Sequence, residues 1–310
     1  RYTHDYARAL ISTGKYKEAM DITNTLLLDQ EVGTDEFNES KNVVKSCLFA
    51  MQTIESKTRI VDIKLLDTTK INASGGAFAA NYFKDKTIVF SAVRPGNENI
   101  APNSNIYQVD VGSNGKIYEE AQSISQLINS QENEGAGVLS PDKTKMYFTR
   151  WSYNTKNPEC AIYVSRYLNG QWLTPRKLKD NINYPGYKTM HPALSPDGST
   201  LYFVSDRPGG KGKLDIWYCT LDEMDNTQEI INPGPAVNTK ENEATPFVHA
   251  NNVLYFSSEG HNGLGGLDVF KLNLDGGFNS NPKNLGIPVN SSMDDAYYVA
   301  VPLDEMAQSG

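Results

Sequence analysis

The chain has 310 residues, of which 39% are hydrophobic, and its 17 Tyr and 11 Phe are typical of a folded, β-rich protein and unlike a disordered one. Its formal net charge of -8, without a basic stripe, disfavours a nucleic-acid-binding protein. No apolar run reaches the roughly 18 residues that a membrane-spanning helix needs.

An N-terminal segment, residues 1–56, is predicted to be helical. Apolar residues recur at helical spacing from Tyr6 to Ile11 and from Ala19 to Leu27, and a third helix is predicted from Thr34 to about Ile54. The string from Gly14 to Ala19 resembles the turn of a tetratricopeptide repeat (TPR), and an unrelated helical hairpin is the alternative. One and a half repeats cannot stack a full core. We therefore expect either further repeats before this segment or packing against the following domain.

The second predicted domain, residues 57–310, contains a repeat of about 55 residues. A strand ends in an aromatic anchor four times, and the anchors are 58, 55 and 53 residues apart: Phe90, Phe148, Phe203 and Phe256. An apolar residue followed by asparagine marks each unit, at Asn72, Asn129, Asn183, Asn238 and Asn290. A near-constant spacing of this size predicts a repeat architecture.

Each repeat is predicted to form four strands, which makes it one blade of a β-propeller. The clearest turn is Leu194-Ser195-Pro196-Asp197-Gly198, where Pro fixes φ and Gly supplies positive φ. Fourth strands fit around Leu178 and Leu285. The strand Val61 to Leu66 is predicted to close the ring, and a fifth unit begins at Ser291 with an incomplete blade. The fold class is therefore mainly β, with five or six blades expected in the intact protein.

The string from Leu194 to Gly210 resembles the PD40 (TolB-type, WD40-like) propeller repeat, as do Lys211–Tyr218 and Gly263–Phe270. The resemblance covers roughly residues 61–310. TPR-like helices before a PD40 propeller resemble periplasmic Bacteroidetes proteins of the OmpA family, including components of the type IX secretion system. That layout implies a carboxypeptidase-regulatory-like domain and a peptidoglycan-binding domain beyond residue 310.

A search for catalytic motifs finds no HExxH, no GxSxG and no P-loop. Propellers also occur in prolyl oligopeptidase-like enzymes, where a separate hydrolase domain carries the triad, and such a domain has no room here. We therefore expect no enzymatic activity, no cofactor and no metal. His191 and His249 lie on or beside first strands of neighbouring blades and are candidate channel residues. The favoured interpretation for both is a polar side chain bonded to its neighbours.

Three arginines follow the Phe anchors closely and are candidate partner-facing loop residues: Arg94, Arg150 and Arg207. Pairing with loop acids is the favoured alternative. Asp215 and Asp268 precede equivalent third strands beside Gly-rich loops. They could bind calcium, although acceptance of hydrogen bonds from the loop backbone is favoured.

The cysteines, Cys47, Cys160 and Cys219, match neither a zinc site nor a CxxC motif. Buried free thiols are favoured, and a Cys160–Cys219 bridge stays open. Cysteine usage does not fix the compartment. Because the chain begins at Arg1 and not at Met, an N-terminal processing segment could have been removed.

The resemblance implies a non-catalytic scaffold in the periplasm, associated with the outer membrane. It would dock other envelope or secretion-system proteins and reach peptidoglycan through a domain beyond residue 310. The alternative is a propeller that binds a glycan or a peptidoglycan fragment in its channel, and a TolB-like translocation accessory is less favoured. Tyr, Trp and Arg at the channel mouth would support the glycan-binding alternative.

Overall fold

A computed structural model of the chain describes residues 2–56, 70–71, 76–84, 86–94, 102–112, 116–152, 158–227 and 229–300. The predicted closing strand, Val61 to Leu66, and the first marker, Asn72, lie outside the described residues. The described part is a four-bladed β-propeller with three helices at the N-terminus, which confirms the predicted fold class.

The three helices are α1 (Tyr2–Ser12), α2 (Tyr16–Asp29) and α3 (Asp35–Glu55). Gly14 has φ +75° in the turn between α1 and α2, a conformation that glycine adopts without steric cost. The Thr34 hydroxyl accepts a hydrogen bond from the Phe37 N–H at 3.2 Å, which confirms the predicted cap of α3. No helix in the described ranges is long and apolar enough to span a membrane.

The blades are antiparallel sheets whose strands follow chain order, except that the last strand of blade 2 pairs with the third strand of that blade. Blade 1 consists of β1 (Ala77–Lys84), β2 (Thr87–Val93), β3 (Ser104–Asp110) and β4 (Gln122–Ser123). Blade 2 consists of β5 (Asn133–Leu139), β6 (Lys145–Ser152), β7 (Glu159–Leu168), β8 (Gln171–Trp172) and β9 (Arg176–Lys177). Blade 3 consists of β10 (Thr189–Leu194), β11 (Thr200–Ser205) and β12 (Asp215–Thr220). Blade 4 consists of β13 (Glu243–His249), β14 (Val253–Ser258), β15 (Asp268–Asn273) and β16 (Lys283–Asn284).

The core lies between the blades. All four Phe anchors are at most 1% exposed. One apolar cluster joins blade 2 to blade 3 through Ile162, Leu201 and Phe203, and another joins blade 3 to blade 4. A single blade can bury only part of each face, so stacking against its neighbours is what removes these strands from water.

The first strand of every blade carries a β-bulge at an equivalent position. The bulge residue has a left-handed backbone, with φ between +49° and +58°, in all five units: Ala79, Ala136, His191, Thr245 and Tyr297. Left-handed non-glycine residues are uncommon, so this fivefold recurrence marks a feature of the ring. The five residues line one small cavity on the propeller axis. The first strands are therefore innermost, and residues 295–300 repeat their path as the start of a fifth unit.

The helices pack on blade 4. Leu264, in the loop before β15, is 1% exposed and shares an apolar cluster with Ala7, Ala19 and Cys47. The Ser292 hydroxyl donates to the Ser12 carbonyl at 3.1 Å. The segment thus buries its apolar face against the propeller, which is one of the two outcomes expected for an incomplete helical repeat.

Candidate functional site

Each asparagine marker within the described residues bonds the third strand of the blade that it follows. In each of four cases the side-chain oxygen accepts a backbone N–H of the third strand at 2.8–2.9 Å. The amide nitrogen of the same asparagine donates to the carbonyl of the same third-strand residue, also at 2.8–2.9 Å. The pairs are Asn129 with Ile106, Asn183 with Ile162, Asn238 with Ile216, and Asn290 with Val269. The amide oxygen supplies the third-strand N–H with an acceptor, and the carbonyls of Ile106, Ile162 and Val269 also accept a backbone N–H from the fourth-strand region at 3.0–3.1 Å. The marker is therefore a structural residue.

The residues that follow the Phe anchors form a second repeated contact. Arg94, Arg150, Arg207 and His261 each bond a backbone carbonyl just before or near an asparagine marker: those of Lys70, Ile128, Ile182 and Val237. The Arg94, Arg150 and Arg207 guanidinium groups also lie over aromatic rings of Tyr107, Tyr163 and Phe203, at 4.3, 4.6 and 4.8 Å from the centroids. Carbonyl bonds and cation–π contact both stabilise the cations in place.

The three arginines are predicted to face a partner, and these contacts show where they lie. Arg207 is 7% exposed, and burial lowers its pKa to about 10. Arg150 pairs with the buried Glu134 at 2.8 Å, as the acid-pairing alternative expects. Arg94 is half-buried. Their observed partners belong to the propeller itself, and a partner-facing role for them stays a prediction.

A third repeated contact sits in the connections between blades. The residue after the marker is Ser130, Thr239 or Ser291, and its hydroxyl and backbone N–H bond a carboxylate four positions further on, at Glu134, Glu243 or Asp295. The connection into blade 3 departs from this rule. Tyr184 replaces the hydroxyl residue, and the connection is one residue longer than the other three.

The loop carboxylates Asp215 and Asp268 bond backbone N–H groups, as the favoured interpretation expects. Asp215 accepts from Gly212 at 3.2 Å, and Asp268 accepts from Leu264 and Gly265 at 2.8 and 3.0 Å. Burial raises the pKa of Asp268 to about 6. Within the described residues, no group of three or more His, Cys, Asp or Glu side chains is arranged to hold a metal ion.

A large cavity lies beside the departure at blade 3 and is lined by Tyr184, Pro185, Gly186 and Tyr187. This channel-mouth cavity measures about 1170 Å³ and lies over the axis between blades 2 and 3. Its lining includes Phe78, Trp151, Tyr184, Tyr187, His191 and Tyr297. Ligand pockets commonly measure about 300–1,000 Å³ and combine apolar walls with a few polar groups. The channel-mouth cavity has walls of this mixed character, with aromatic rings beside polar and charged side chains.

Two tyrosines stand at the rim of the channel-mouth cavity. Tyr184 and Tyr187 are 45% and 42% exposed, and their ring centroids are 5.6 Å apart. The Arg207 guanidinium lies 5.9 Å from the Tyr184 ring centroid. This distance is at the outer limit of cation–π contact, and the same guanidinium lies closer to the Phe203 ring, at 4.8 Å.

His191 lies at the floor, where the cavity meets the axis. Its Nε2 is 3.1 Å from the Tyr297 hydroxyl, and its buried Nδ1 has no hydrogen-bond partner among the described residues. Burial lowers its pKa to about 4, so the imidazole is neutral near pH 7. His249 lies at the end of β13, where Nδ1 is 2.6 Å from the Asn251 side-chain oxygen, and it does not line the cavity. A ligand-binding role for either histidine stays a prediction.

The three cysteines are free, so the Cys160–Cys219 bridge that the sequence left open is not formed. Burial raises the thiol pKa of Cys160 to about 12 and that of Cys219 to about 11. Cys160 lines the channel-mouth cavity as a protonated thiol.

Sequence reasoning missed the aromatic lining: Trp151, Tyr184, Tyr187 and Tyr297. The available signal was the departure from the repeat. The left-handed inner residue follows its marker by seven positions in the connections into blades 2 and 4 and the fifth unit, and by eight positions in the connection into blade 3. The extra residue falls in Tyr184-Pro185-Gly186-Tyr187.

No family model matches the chain, and no curated protein matches it. Among solved structures, it is similar to an α-L-arabinofuranosidase from Lactobacillus brevis, at 13% identity and a TM-score of 0.41, over 73% of this chain and 80% of that chain. It is similar to the β-propeller domain of the Trilobed protease from Pyrococcus furiosus, at 12% identity and a TM-score of 0.34, over 64% and 54%.

A prolyl endopeptidase structure matches at 17% identity and a TM-score of 0.37, over 70% of this chain. This chain spans only 29% of the length of that enzyme. Structural neighbours of this kind are propeller proteins, and similarities this distant say nothing about what this chain binds or catalyses.

Proposed function

We propose that the chain is a non-catalytic binding scaffold of the cell envelope. The observation that carries this proposal is the use of the repeated polar side chains. Arginine, asparagine and carboxylate side chains that recur from blade to blade bond other parts of the same ring, at the distances given above. Groups engaged in this way hold the ring rigid, and a rigid ring displays its loops as a broad docking face.

The location and the partners follow from the resemblance alone. Helices of TPR type before a PD40 propeller resemble the layout of PorE, a periplasmic component of the type IX secretion system. We propose that the chain lies in the periplasm near the outer membrane and docks envelope or secretion-system proteins, with peptidoglycan bound by a domain beyond residue 310.

Site-specific photo-crosslinking in envelope preparations tests the scaffold proposal. A crosslinker replaces Leu28 on α2, which is 85% exposed, or Met224 on the outer rim of blade 3, which is 71% exposed. We expect one discrete protein adduct whose yield depends on the position, and a 1:1 complex when that protein is purified and mixed with the chain. Equal adducts at both positions, or no complex between the purified proteins, would count against a docking scaffold.

A second candidate is a propeller that binds a small polymeric ligand at its channel mouth. The specific observation in its favour is the set of tyrosines and the tryptophan that line the channel-mouth cavity. The scaffold and the ligand-binding functions use different surfaces, so one chain can perform both.

A further inference from the structure

We propose that the channel-mouth cavity binds a neutral oligosaccharide, with Tyr184 and Tyr187 as the stacking platform. This inference names the ligand class for the second candidate function above and is independent of protein docking through other surfaces. Three observations support it: the aromatic rim, the balanced charge of the lining, and the unpartnered polar atom at the floor.

The aromatic rim suits the flat, apolar face of a sugar ring. Tyr184 and Tyr187 expose close to half of their surface on one short loop, and the half-buried Trp151 faces the same cavity from blade 2. Tyr and Trp present a large rigid surface at a low cost in conformational entropy, which is why such residues dominate many recognition surfaces. The Tyr184 and Tyr187 rings lie 5.6 Å apart and pack against each other at the rim without a ligand, which reduces the ordering needed on binding.

The charge of the lining points to an uncharged ligand. Among the residues that the structure describes, four charged side chains line the cavity: two acids, Glu159 and Asp206, and two bases, Lys177 and Lys188. Lys177 already pairs with Glu159. A site for an acidic or basic polymer would show an excess of the opposite charge. A balanced set offers both donors and acceptors, which is what the hydroxyl groups of a sugar require.

The floor of the cavity supplies a polar atom that awaits a partner. Nδ1 of His191 is buried and has no hydrogen-bond partner among the described residues. A buried polar atom without a partner costs free energy. Water cannot reach Nδ1 in this geometry, so a ligand hydroxyl would remove that cost only with a small side-chain shift at the floor. Tyr297 on the other ring nitrogen fixes the orientation of the imidazole.

The site lies in a connection where the ring does not depend on the hydroxyl–carboxylate contact. Three connections carry the hydroxyl–carboxylate contact, and the connection into blade 3 has Tyr184 in place of the hydroxyl residue. Thr189 bonds the Ile182 carbonyl at 3.2 Å and keeps this connection closed by another route. Tyr184 therefore does not make the structural contact that its equivalents Ser130, Thr239 and Ser291 make.

Calorimetric titration of the 310-residue chain with four tetrasaccharides tests the proposal. Cellotetraose, maltotetraose and chitotetraose are the neutral probes, and tetragalacturonate is the acidic one. We expect at least one neutral probe to bind with a Kd below about 1 mM and the acidic probe to bind at least about tenfold more weakly. No binding of any neutral probe at millimolar concentration, or tighter binding of tetragalacturonate, overturns the proposal.

Two variants locate the site. Tyr184→Ala with Tyr187→Ala should weaken binding of the neutral probe by about tenfold or more, since loss of exposed stacking rings removes the main contacts. Tyr184→Phe with Tyr187→Phe keeps the ring faces and should retain most of the affinity. Tyr82→Ala is the matched control, because Tyr82 is 41% exposed on blade 1 and does not line the cavity. Equal affinity in the double alanine variant and the Tyr82→Ala variant would contradict the assigned site.

Discussion

At the scale of single residues, the propeller uses polar side chains where a plain sheet would use backbone. Asn238 illustrates this, since it is 1% exposed and pairs with both backbone groups of Ile216. The short fourth strands cannot supply these bonds along their whole length. A buried side-chain amide that satisfies a strand from within is difficult to replace, because its removal leaves buried backbone groups without partners.

Replacement of Asn238 by alanine should therefore lower the free energy of unfolding by about 2–4 kcal/mol, since two buried backbone groups lose their partners. Urea titration followed by circular dichroism measures the change. Asn279→Ala is the control, because Asn279 is exposed and makes a single local bond to Gly276, and it should change stability by less than about 0.5 kcal/mol. A similar loss of unfolding free energy in both variants would show that the Asn238 side chain does not stabilise the blade.

Glu243 predicts a pH dependence at the same scale. It accepts bonds from the Thr239 N–H and hydroxyl and the Ser258 hydroxyl at 2.7–2.8 Å, but burial dominates and raises its pKa from 4.5 to about 7. The folded state therefore binds the Glu243 proton more tightly than the unfolded state. The stability from this group is complete below about pH 4.5 and is lost as the pH rises towards about 7.

The expected loss from this group is about 3 kcal/mol between those limits. Asp268, whose pKa burial raises to about 6, acts in the same direction. Urea midpoints measured from pH 4.5 to 7.5 should fall more steeply in the native chain than in a Glu243→Gln variant, which cannot ionise. Parallel pH profiles for the two chains would show that Glu243 does not titrate in this window.

At the scale of elements, an ionic cluster joins the outer edge of blade 2 to the loop after β12. Asp225, whose side chain is fully buried, accepts from Lys145 at 2.6 Å, from Arg176 at 2.5 Å and from the Tyr147 hydroxyl. This contact complements the apolar cluster between the same blades. No sequence pattern predicts this cluster, because Asp225 is about 50 to 80 positions from its partners and none of them belongs to a repeat marker.

An Asp225→Asn variant keeps the shape of the side chain and suits the left-handed backbone at this position, where φ is +64°. It removes the charge that Lys145 and Arg176 surround. We expect the free energy of unfolding to fall by about 2–3 kcal/mol, because breaking a buried ion pair leaves uncompensated charge. Glu223→Gln, at an exposed neighbouring position, is the control for urea titration. A smaller loss in Asp225→Asn than in Glu223→Gln would exclude a structural role for the cluster.

At the scale of the whole molecule, the features that repeat were predictable and those that depart from the repeat were not. The Phe anchors, the asparagine markers and the positive φ of Gly198, observed at +75°, follow from local sequence. The predicted fourth strands lie within a few residues of Leu178 and Leu285, at Arg176–Lys177 and Lys283–Asn284. Local chemistry determines each of these features, so they can be predicted from the sequence.

The inner-strand bulges and the channel-mouth cavity depend on the ring as a whole. The bulge residues Ala79, Ala136 and Thr245 have no common side chain, so no sequence pattern marks their left-handed backbone. Their geometry comes partly from neighbouring blades, as when Ser91 accepts the Ala136 N–H and Thr149 accepts the His191 N–H, both at 3.0 Å. Likewise, Tyr184 and Trp151 face one cavity only because blades 2 and 3 are adjacent.

In this molecule the shared residues build the ring, and we propose that the departure at Tyr184 and Tyr187 binds the ligand. The decisive experiment measures both the unfolding free energy and the neutral-tetrasaccharide affinity of two variants, Asn238→Ala and the double variant Tyr184→Ala with Tyr187→Ala. We expect the first variant to lose stability and, while folded, to keep its affinity. The second should lose affinity and keep its stability to within about 1 kcal/mol. Loss of both properties together in either variant would contradict the division of roles.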